Sequence, residues 1–272
     1  MAREFYIRAH DKIKQINISY LKKIERNREE GLSNYANGKL QPFTGHYSEI
    51  LKKSFNFIME INDLSQEAIK IRIISPIKSL SEKHGISSIY AGEGDLAPHI
   101  TLQTGNFINM ISEEQQAMQS YLISNKSHLI WIGRILNGLS VNLDCLVLSG
   151  SVIYACTNSF TKENYPFYKA RQLIKWRFTG KKDIDGIAYG STKGQAKNQA
   201  LVPIDYDDIT HITAGRVTGN SQPEKLIDFA RKAYDTVGKS LQKEPIQVSI
   251  CGVNICNTYD FIREGAPKLI RE

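Results

Sequence analysis

The chain has 272 residues, of which 41% are apolar, so it can bury a sizeable core and is not a disordered protein. Its formal net charge of +7 at pH 7 favours anionic partners such as nucleotides or RNA. No stretch approaches the roughly 20 apolar residues that a membrane span needs, and residues 1–13 lack the apolar run of a signal peptide. We therefore expect a cytoplasmic protein without a membrane partner.

Two helices are predicted in the first ninety residues. Apolar residues recur at helical spacing over residues 11–30 and again over residues 47–63, with a polar break that contains Gly and Pro over residues 34–45. A further apolar segment covers residues 68–77. None of these stretches carries a motif that identifies a chemistry.

In the middle of the chain a strand containing His99 is followed by a predicted helix over residues 112–123. That helix opens on a Ser and two acidic residues, which the helix dipole favours in a first turn. Apolar, β-branched runs then predict consecutive antiparallel strands at 128–136, 141–148 and 152–156.

The last part of the chain begins with a predicted helix over residues 164–178, whose basic face is formed by Lys169, Arg171, Lys175 and Arg177. This face is either solvated or a phosphate-attracting wall, in which case Lys169, Arg171 and Lys175 bind substrate. Polar, glycine-containing residues predict a long loop over 180–203. Beyond it, the pattern predicts a strand at 209–217, a helix at 223–237 and a strand at 246–255.

The four cysteines are predicted to be reduced thiols in the core. They show neither Cys-x-x-Cys nor Cys/His metal spacing. Each lies in an apolar, strand-like stretch, at Cys145, Cys156, Cys251 and Cys256.

A His-Ile-Thr triplet occurs twice on predicted strands. Because residues two apart on a strand share a face, each His would point the same way as its Thr, with the Ile on the buried side. The candidate catalytic residues are therefore His99, Thr101, His211 and Thr213. Arg216 is an odd number of residues from His211 and is expected on the opposite face. A third match, His46-Tyr47-Ser48, opens a helical pattern and is interpreted as coincidence.

Both triplets are followed by a predicted helix and then a further strand, which favours an internal duplication. Such a duplication would bring the two triplets together as pseudo-symmetric partners. Their four polar side chains would then form one cleft.

With these two motifs the sequence resembles the 2H phosphoesterase superfamily, which includes bacterial cyclic phosphodiesterases of the 2′-5′ RNA ligase type. That family has two His-x-Thr/Ser motifs, each on a strand of a duplicated α+β lobe. The resemblance covers roughly residues 86–259. It implies a two-lobed, duplicated α+β fold in which antiparallel sheets line a central cleft and helices lie outside. It also implies a catalytic domain over 47–272, preceded by an N-terminal helical extension over 1–46.

The resemblance implies a phosphodiesterase that acts on 2′,3′-cyclic phosphates or on 2′-5′-linked nucleotides and RNA ends, without a metal or other cofactor. One His would deprotonate the nucleophile and the other would protonate the leaving oxygen, since an imidazole of pKa about 6.5 does both near neutrality. Thr101 and Thr213 would donate hydrogen bonds to the non-bridging phosphate oxygens. Which His is the base stays open. The oligomeric state also stays open, with a monomer favoured over an oligomer.

Three alternatives remain from the sequence. The same enzyme could act on cyclic or 2′-5′ oligonucleotide second messengers. The cleft could also belong to a non-catalytic RNA- or nucleotide-binding module. A zinc site is the third alternative, although no third ligand stands at a recognisable spacing.

Overall fold

The protein consists of helices packed against one antiparallel sheet, in a computed structural model that describes residues 2–37, 54–91, 98–106, 126–179, 209–218 and 221–257. The helices are α1 (Ala2–Ala36), α2 (Asp63–Ile69), α3 (Ser75–His84), α4 (Lys126–Leu136), α5 (Tyr165–Thr179), α6 (Pro223–Ala233) and α7 (Lys239–Lys243), with π-helical turns at Lys70–Ile74 and Tyr234–Gly238. The strands are β1 (Ser54–Ile61), β2 (Ser88–Tyr90), β3 (His99–Asn106), β4 (Ser140–Leu143), β5 (Cys145–Ser149), β6 (Val152–Cys156), β7 (His211–Val217) and β8 (Ile246–Asn257).

The sheet has the strand order β4-β8-β1-β3-β7-β6-β5, and β2 also pairs with β7. Every pairing is antiparallel. This architecture confirms the predicted α+β class. Helices separate each of the two central strands, β3 and β7, from its outer neighbour along the chain. α2 and α3 lie between β1 and β3, and α5 lies between β6 and β7. The predicted duplication into two lobes stays a prediction.

The main core lies between one face of the sheet and the helices, and it includes Phe57, Ile100, Ile212 and Phe229. A second apolar cluster covers part of the other face, where Tyr20 and other residues of α1 pack on β5 and β6. Alternate residues of β5 therefore belong to different clusters, with Leu146 and Leu148 in the first and Cys145 and Val147 in the second.

Helix α1 confirms the helix predicted over residues 11–30 and extends it at both ends. It is fixed to the chain after β6, since the Tyr20 hydroxyl donates to the Thr157 carbonyl oxygen at 2.8 Å. The Phe160 backbone N–H in turn donates to Asn17 Oδ1 at 2.8 Å. These contacts place α1 over the end of the sheet that carries β5 and β6. No helix in the described part of the chain is both long and apolar enough to cross a bilayer.

The helix predicted over residues 47–63 is wrong for its described part, because residues 54–61 form β1. The apolar side chains of Phe57, Met59 and Ile61 alternate and enter the main core, which is the two-residue period of a strand. The positions of the apolar residues in 47–63 also fit a helical repeat, which is why the sequence pattern favoured a helix. The helix α2 begins only after this strand, at the N-cap Asn62, whose side chain accepts from the Ser65 backbone N–H at 2.9 Å.

The strand predicted over residues 128–136 is also wrong, because these residues belong to α4. Ile132 and Leu136, four residues apart, are buried, while Ile130, Trp131 and Ile135 are exposed. An apolar run of this length fits either structure, and the β-branched residues favoured the wrong one. The strand predicted over 141–148 is divided at residue 144, because its two halves, β4 and β5, pair with different neighbours.

The remaining predicted elements that are described are confirmed at β3, β6, α5, β7, α6 and β8. The helix predicted over residues 223–237 ends in a π-helical turn, which α7 continues. The helix predicted over 112–123 and the loop over 180–203 lie outside the described residues. Cys145 and Cys156 are buried and not in disulfides, but Cys251 is exposed, so its predicted core position is wrong.

Candidate active site

The two motif strands are neighbours in the sheet. β3 and β7 pair antiparallel, with Ile100 opposite Ile212, and both Ile side chains are fully buried in the main core. The antiparallel direction then puts each motif His across from the Thr of the other motif. All four candidate catalytic residues are partly exposed and lie on the face opposite the two isoleucines.

Two imidazoles and two hydroxyls therefore occupy a two-by-two block of positions on one sheet face. In such pairs, directly opposite Cβ atoms are about 4.5–5.5 Å apart and diagonal neighbours about 7–8 Å apart. The two imidazoles occupy diagonal positions. Within the first motif, Thr101 Oγ1 lies 3.4 Å from His99 Nε2.

Glu60 pairs with the first motif in the sheet, but its carboxylate lies against β8. It is the residue of β1 directly opposite His99, so its side chain leaves the same face of the sheet. Its Oε1 accepts a hydrogen bond from Asn254 Nδ2 of β8 at 3.0 Å. Sequence reasoning missed Glu60 because β1 was interpreted as a helix.

His211 is held in one orientation. Its Nδ1 lies 2.9 Å from the carbonyl oxygen of Ile209, so Nδ1 carries the proton and Nε2 is left as the basic nitrogen of the neutral ring. The ring also packs against Tyr154, with 5.0 Å between ring centroids. Tyr154 is itself anchored from α1, because Asn27 Nδ2 donates to its hydroxyl at 2.9 Å. The first helix thus supports the second motif.

The pKa of His211 is lowered from its ordinary value of 6.5 to about 4, mainly by burial and in part by the positive charges of Arg171 and Arg216. The hydrogen bond to Ile209 acts in the opposite direction. Because the resulting pKa lies well below 7, His211 is neutral near physiological pH. A neutral imidazole with a basic Nε2 can accept a proton.

Arg216 lies on the same face as His211 and Thr213, so its predicted position on the opposite face is wrong. Along β6, Val152 pairs with Arg216, whereas Tyr154 pairs with Thr213, so one extra residue of β7 is accommodated between these pairs. This is a β-bulge, and it reverses the inside–outside alternation beyond it. The positive charge of Arg216 therefore faces the site.

Gly215 was the sequence signal for this bulge, since an isolated Gly in a strand pattern suggests one. A Cβ atom at Gly215 would lie 2.6 Å from Cδ1 of Tyr90 and 2.9 Å from the carbonyl oxygen of Ile89. The glycine thus permits the close packing of β2 on the bulged part of β7.

The three predicted substrate-binding residues of α5 have different surroundings. Lys169 is exposed, and its Nζ lies 5.3 Å from the centroid of the Tyr165 ring. The side chain of Lys175 lies outside the described residues. Arg171 is only 2% exposed, and its guanidinium donates to backbone carbonyl oxygens, so it is a buried residue and not part of a solvated basic face.

The helical repeat of α5 could have separated Arg171 from Lys169. Phe167, Ala170 and Ile174 are buried and lie on one side of the helix, and Arg171 belongs to the same stripe at the position four residues after Phe167. Lys169 lies outside this stripe and is exposed.

Within the described ranges, no three His, Cys, Asp or Glu residues are grouped as a metal site.

The pKa of His211 predicts a pH dependence of stability. Below pH 6.5 the unfolded chain protonates this side chain, whereas the folded chain does so only near pH 4. The free energy of unfolding should therefore decrease between about pH 6.5 and about pH 4. Urea unfolding of the native protein and of H211Q over this range measures the effect, and the variant should lose less stability. Equal slopes for the two proteins would contradict the lowered pKa.

Comparison with known proteins finds a structural likeness. The chain matches no protein-family profile and no curated protein sequence. Among solved structures it is similar to Usb1 of Kluyveromyces marxianus, with 13% sequence identity and a TM-score of 0.43. The match covers 77% of this chain and 96% of Usb1. This is a distant likeness of chain path.

Proposed function

We propose that the protein is a metal-independent phosphodiesterase that acts on 2′,3′-cyclic phosphates or on 2′-5′-linked nucleotides and RNA ends. The observation that carries this proposal is the pairing of β3 with β7 at Ile100 and Ile212, which gives both His-x-Thr motifs one common face. Two positioned imidazoles are sufficient for acid–base catalysis of phosphodiester cleavage.

His211 acts as the base and His99 as the acid in the first step. The base assignment is supported by the hydrogen bond from His211 Nδ1 to Ile209, which leaves Nε2 to accept a proton from water. The water oxygen then bonds to phosphorus, the bond from phosphorus to the leaving oxygen breaks, and His99 protonates that oxygen. The acid role then falls to His99, the other imidazole on this face of the sheet.

Thr101 and Thr213 donate hydrogen bonds to the non-bridging phosphate oxygens, where negative charge is concentrated in the transition state. Arg216 on the same face adds a positive charge that attracts the phosphate. The net charge of +7 supports an anionic substrate in general. Lys169 and Lys175 of α5 are proposed to contact the more distant parts of an oligonucleotide.

Turnover of a substrate panel tests the proposal. The native protein is incubated with 2′,3′-cyclic nucleotides and with matched 2′-5′- and 3′-5′-linked oligonucleotides, with and without EDTA. We expect hydrolysis of the cyclic or 2′-5′ substrates at a rate that EDTA does not change. Loss of turnover with EDTA would indicate a metal enzyme. Binding without turnover, weakening steeply with salt, would instead indicate a nucleic-acid-binding module.

A further inference from the structure

Arg171 connects the two motif strands from inside the protein. It is the largest of the fully buried side chains in the described ranges. Its Nη2 donates to the carbonyl oxygens of Thr101 at 3.1 Å and Ile209 at 3.3 Å, and its Nε donates to that of Leu102 at 3.1 Å. One guanidinium therefore binds backbone of the first motif and backbone two residues before the second motif.

The acceptors on β3 lie at an irregularity of the sheet. Against β1, Gln103 pairs with Phe57 and Thr101 pairs with Ile58, so Leu102 is the extra residue of a bulge. The extra residue of a bulge is left unpaired in the ladder. The planar fork of an Arg holds several such carbonyl groups at fixed angles, whereas the three rotatable N–H groups of a Lys ammonium do not impose such a plane.

The Ile209 carbonyl links this arrangement to the second imidazole. It accepts from Arg171 Nη2 and also from His211 Nδ1 at 2.9 Å. The position of this oxygen thus determines both the tautomer and the ring orientation of His211. Moving the guanidinium would displace the Ile209 carbonyl oxygen from Nδ1, and the ring could then carry its proton on Nε2 instead.

We propose that Arg171 is a positioning residue, which sets the separation of the two motif strands and holds His211 with Nε2 directed toward the substrate. This role rests on the proposed function of the two histidines. Arg171 itself does not touch the substrate, because its side chain is buried and donates to backbone carbonyl groups. It thereby differs from the solvent-exposed Lys169 on the same helix.

The variant R171K keeps the charge and removes the fork. We expect kcat to fall by up to about 10²-fold with KM changed much less, because small displacements of catalytic groups have effects of this size. In nitrogen-15 NMR spectra, we expect the His211 ring of R171K to become a mixture of tautomers. R231K, an exposed substitution on α6, is the matched control and should change neither property.

A purely structural role would lower the Tm of R171K and leave the tautomer and the kcat of the folded protein unchanged, which would overturn the proposal. NMR of the native protein gives a second test if R171K does not fold. In the native protein the Arg171 Nε proton should exchange slowly, and His211 should be the Nδ1–H tautomer; fast exchange or the other tautomer also overturns the proposal. The NMR results do not require turnover, so they are separate from failure of the proposed function.

Discussion

Replacement of His211 by Gln should lower kcat/KM by about 10²–10⁴-fold, because the amide side chain cannot accept a proton near neutral pH. The His99→Gln variant should lose a similar factor through the loss of the acid. The two substitutions together should cost less than the product of the single losses, because both groups act in one step. Steady-state kinetics on whichever substrate the native protein hydrolyses fastest measures all three variants.

His84→Gln is the matched control for the two proposed catalytic histidines. His84 lies on α3, where Nδ1 is 2.6 Å from the Leu80 carbonyl oxygen and Nε2 is 2.9 Å from Asp228 Oδ2. It links α3 to α6 and is not one of the four candidate catalytic residues. Its replacement should leave kcat/KM unchanged. Activity close to native in either H99Q or H211Q would exclude the two-histidine mechanism.

The pH profile distinguishes the two histidines. On the acid side of the profile, kcat/KM falls when the base becomes protonated. Because the pKa of His211 is lowered to about 4, this fall should lie near pH 4 and not near 6.5. Activity should therefore be retained at pH 5, provided that the protein stays folded. A fall of kcat/KM near pH 6.5 that is absent in H99Q would instead make His99 the base and His211 the acid.

Substitution of Gly31 by Ala should destabilise the protein by about 3 kcal/mol, which is typical of overpacking against a rigid neighbour. At Gly31 the backbone of α1 comes close to the backbone of β5. A Cβ atom there would overlap the Leu148 carbonyl oxygen and lie 2.9 Å from the carbonyl carbon. Backbone cannot rotate away as a side chain can, so α1 has to move. The loss should exceed the gain of up to about 1 kcal/mol that Ala brings to a helix.

Gly133→Ala is the matched control for Gly31→Ala. It also lies within a helix, but a Cβ atom there would meet the Val253 backbone nitrogen at 3.5 Å, an ordinary contact. This variant should be as stable as the native protein or more so. Thermal unfolding of both variants measures the difference, and we expect a Tm lower by roughly 6–12 °C for G31A. An unchanged Tm for G31A would show that α1 does not rest on β5 through this glycine.

The displacement of α1 in G31A should also reduce activity. Asn27, one turn before Gly31, donates to the Tyr154 hydroxyl, and Tyr154 packs on His211. A shift of the helix therefore alters the support of the proposed base. This coupling gives residues 2–36 a part in the site, although no motif in them suggested one.

The sequence predicted the shared face of the motif residues because a strand has the simplest side-chain period. His99 and Thr101 lie two residues apart between buried neighbours, and the same pattern recurs at His211. Their pairing across β3 and β7 is a long-range property, and only the resemblance and the repeat suggested it. Local period alone does not select the partner of a strand.

The parts that could not be predicted depend on single inserted residues and on burial. The bulge in β7 turns Arg216 toward the site, and no count along an ideal strand includes an extra residue. Arg171 was interpreted by its charge, whereas its position on the apolar stripe of α5 decided its burial. In 47–63 and 128–136, the same apolar residues fitted a helix and a strand, and tertiary packing selected between them.

The position of α1 has a consequence for the time course of folding. Its partners in the second cluster are far away in sequence: 127 residues separate Asn27 from Tyr154, and 137 separate Tyr20 from Thr157. β1 likewise pairs with β8, at the other end of the described chain. Such high contact order slows folding, because long loops have to close before the contacts form. On the ribosome, the helix that supports His211 is thus made before its partners and must wait for more than a hundred further residues before it can dock.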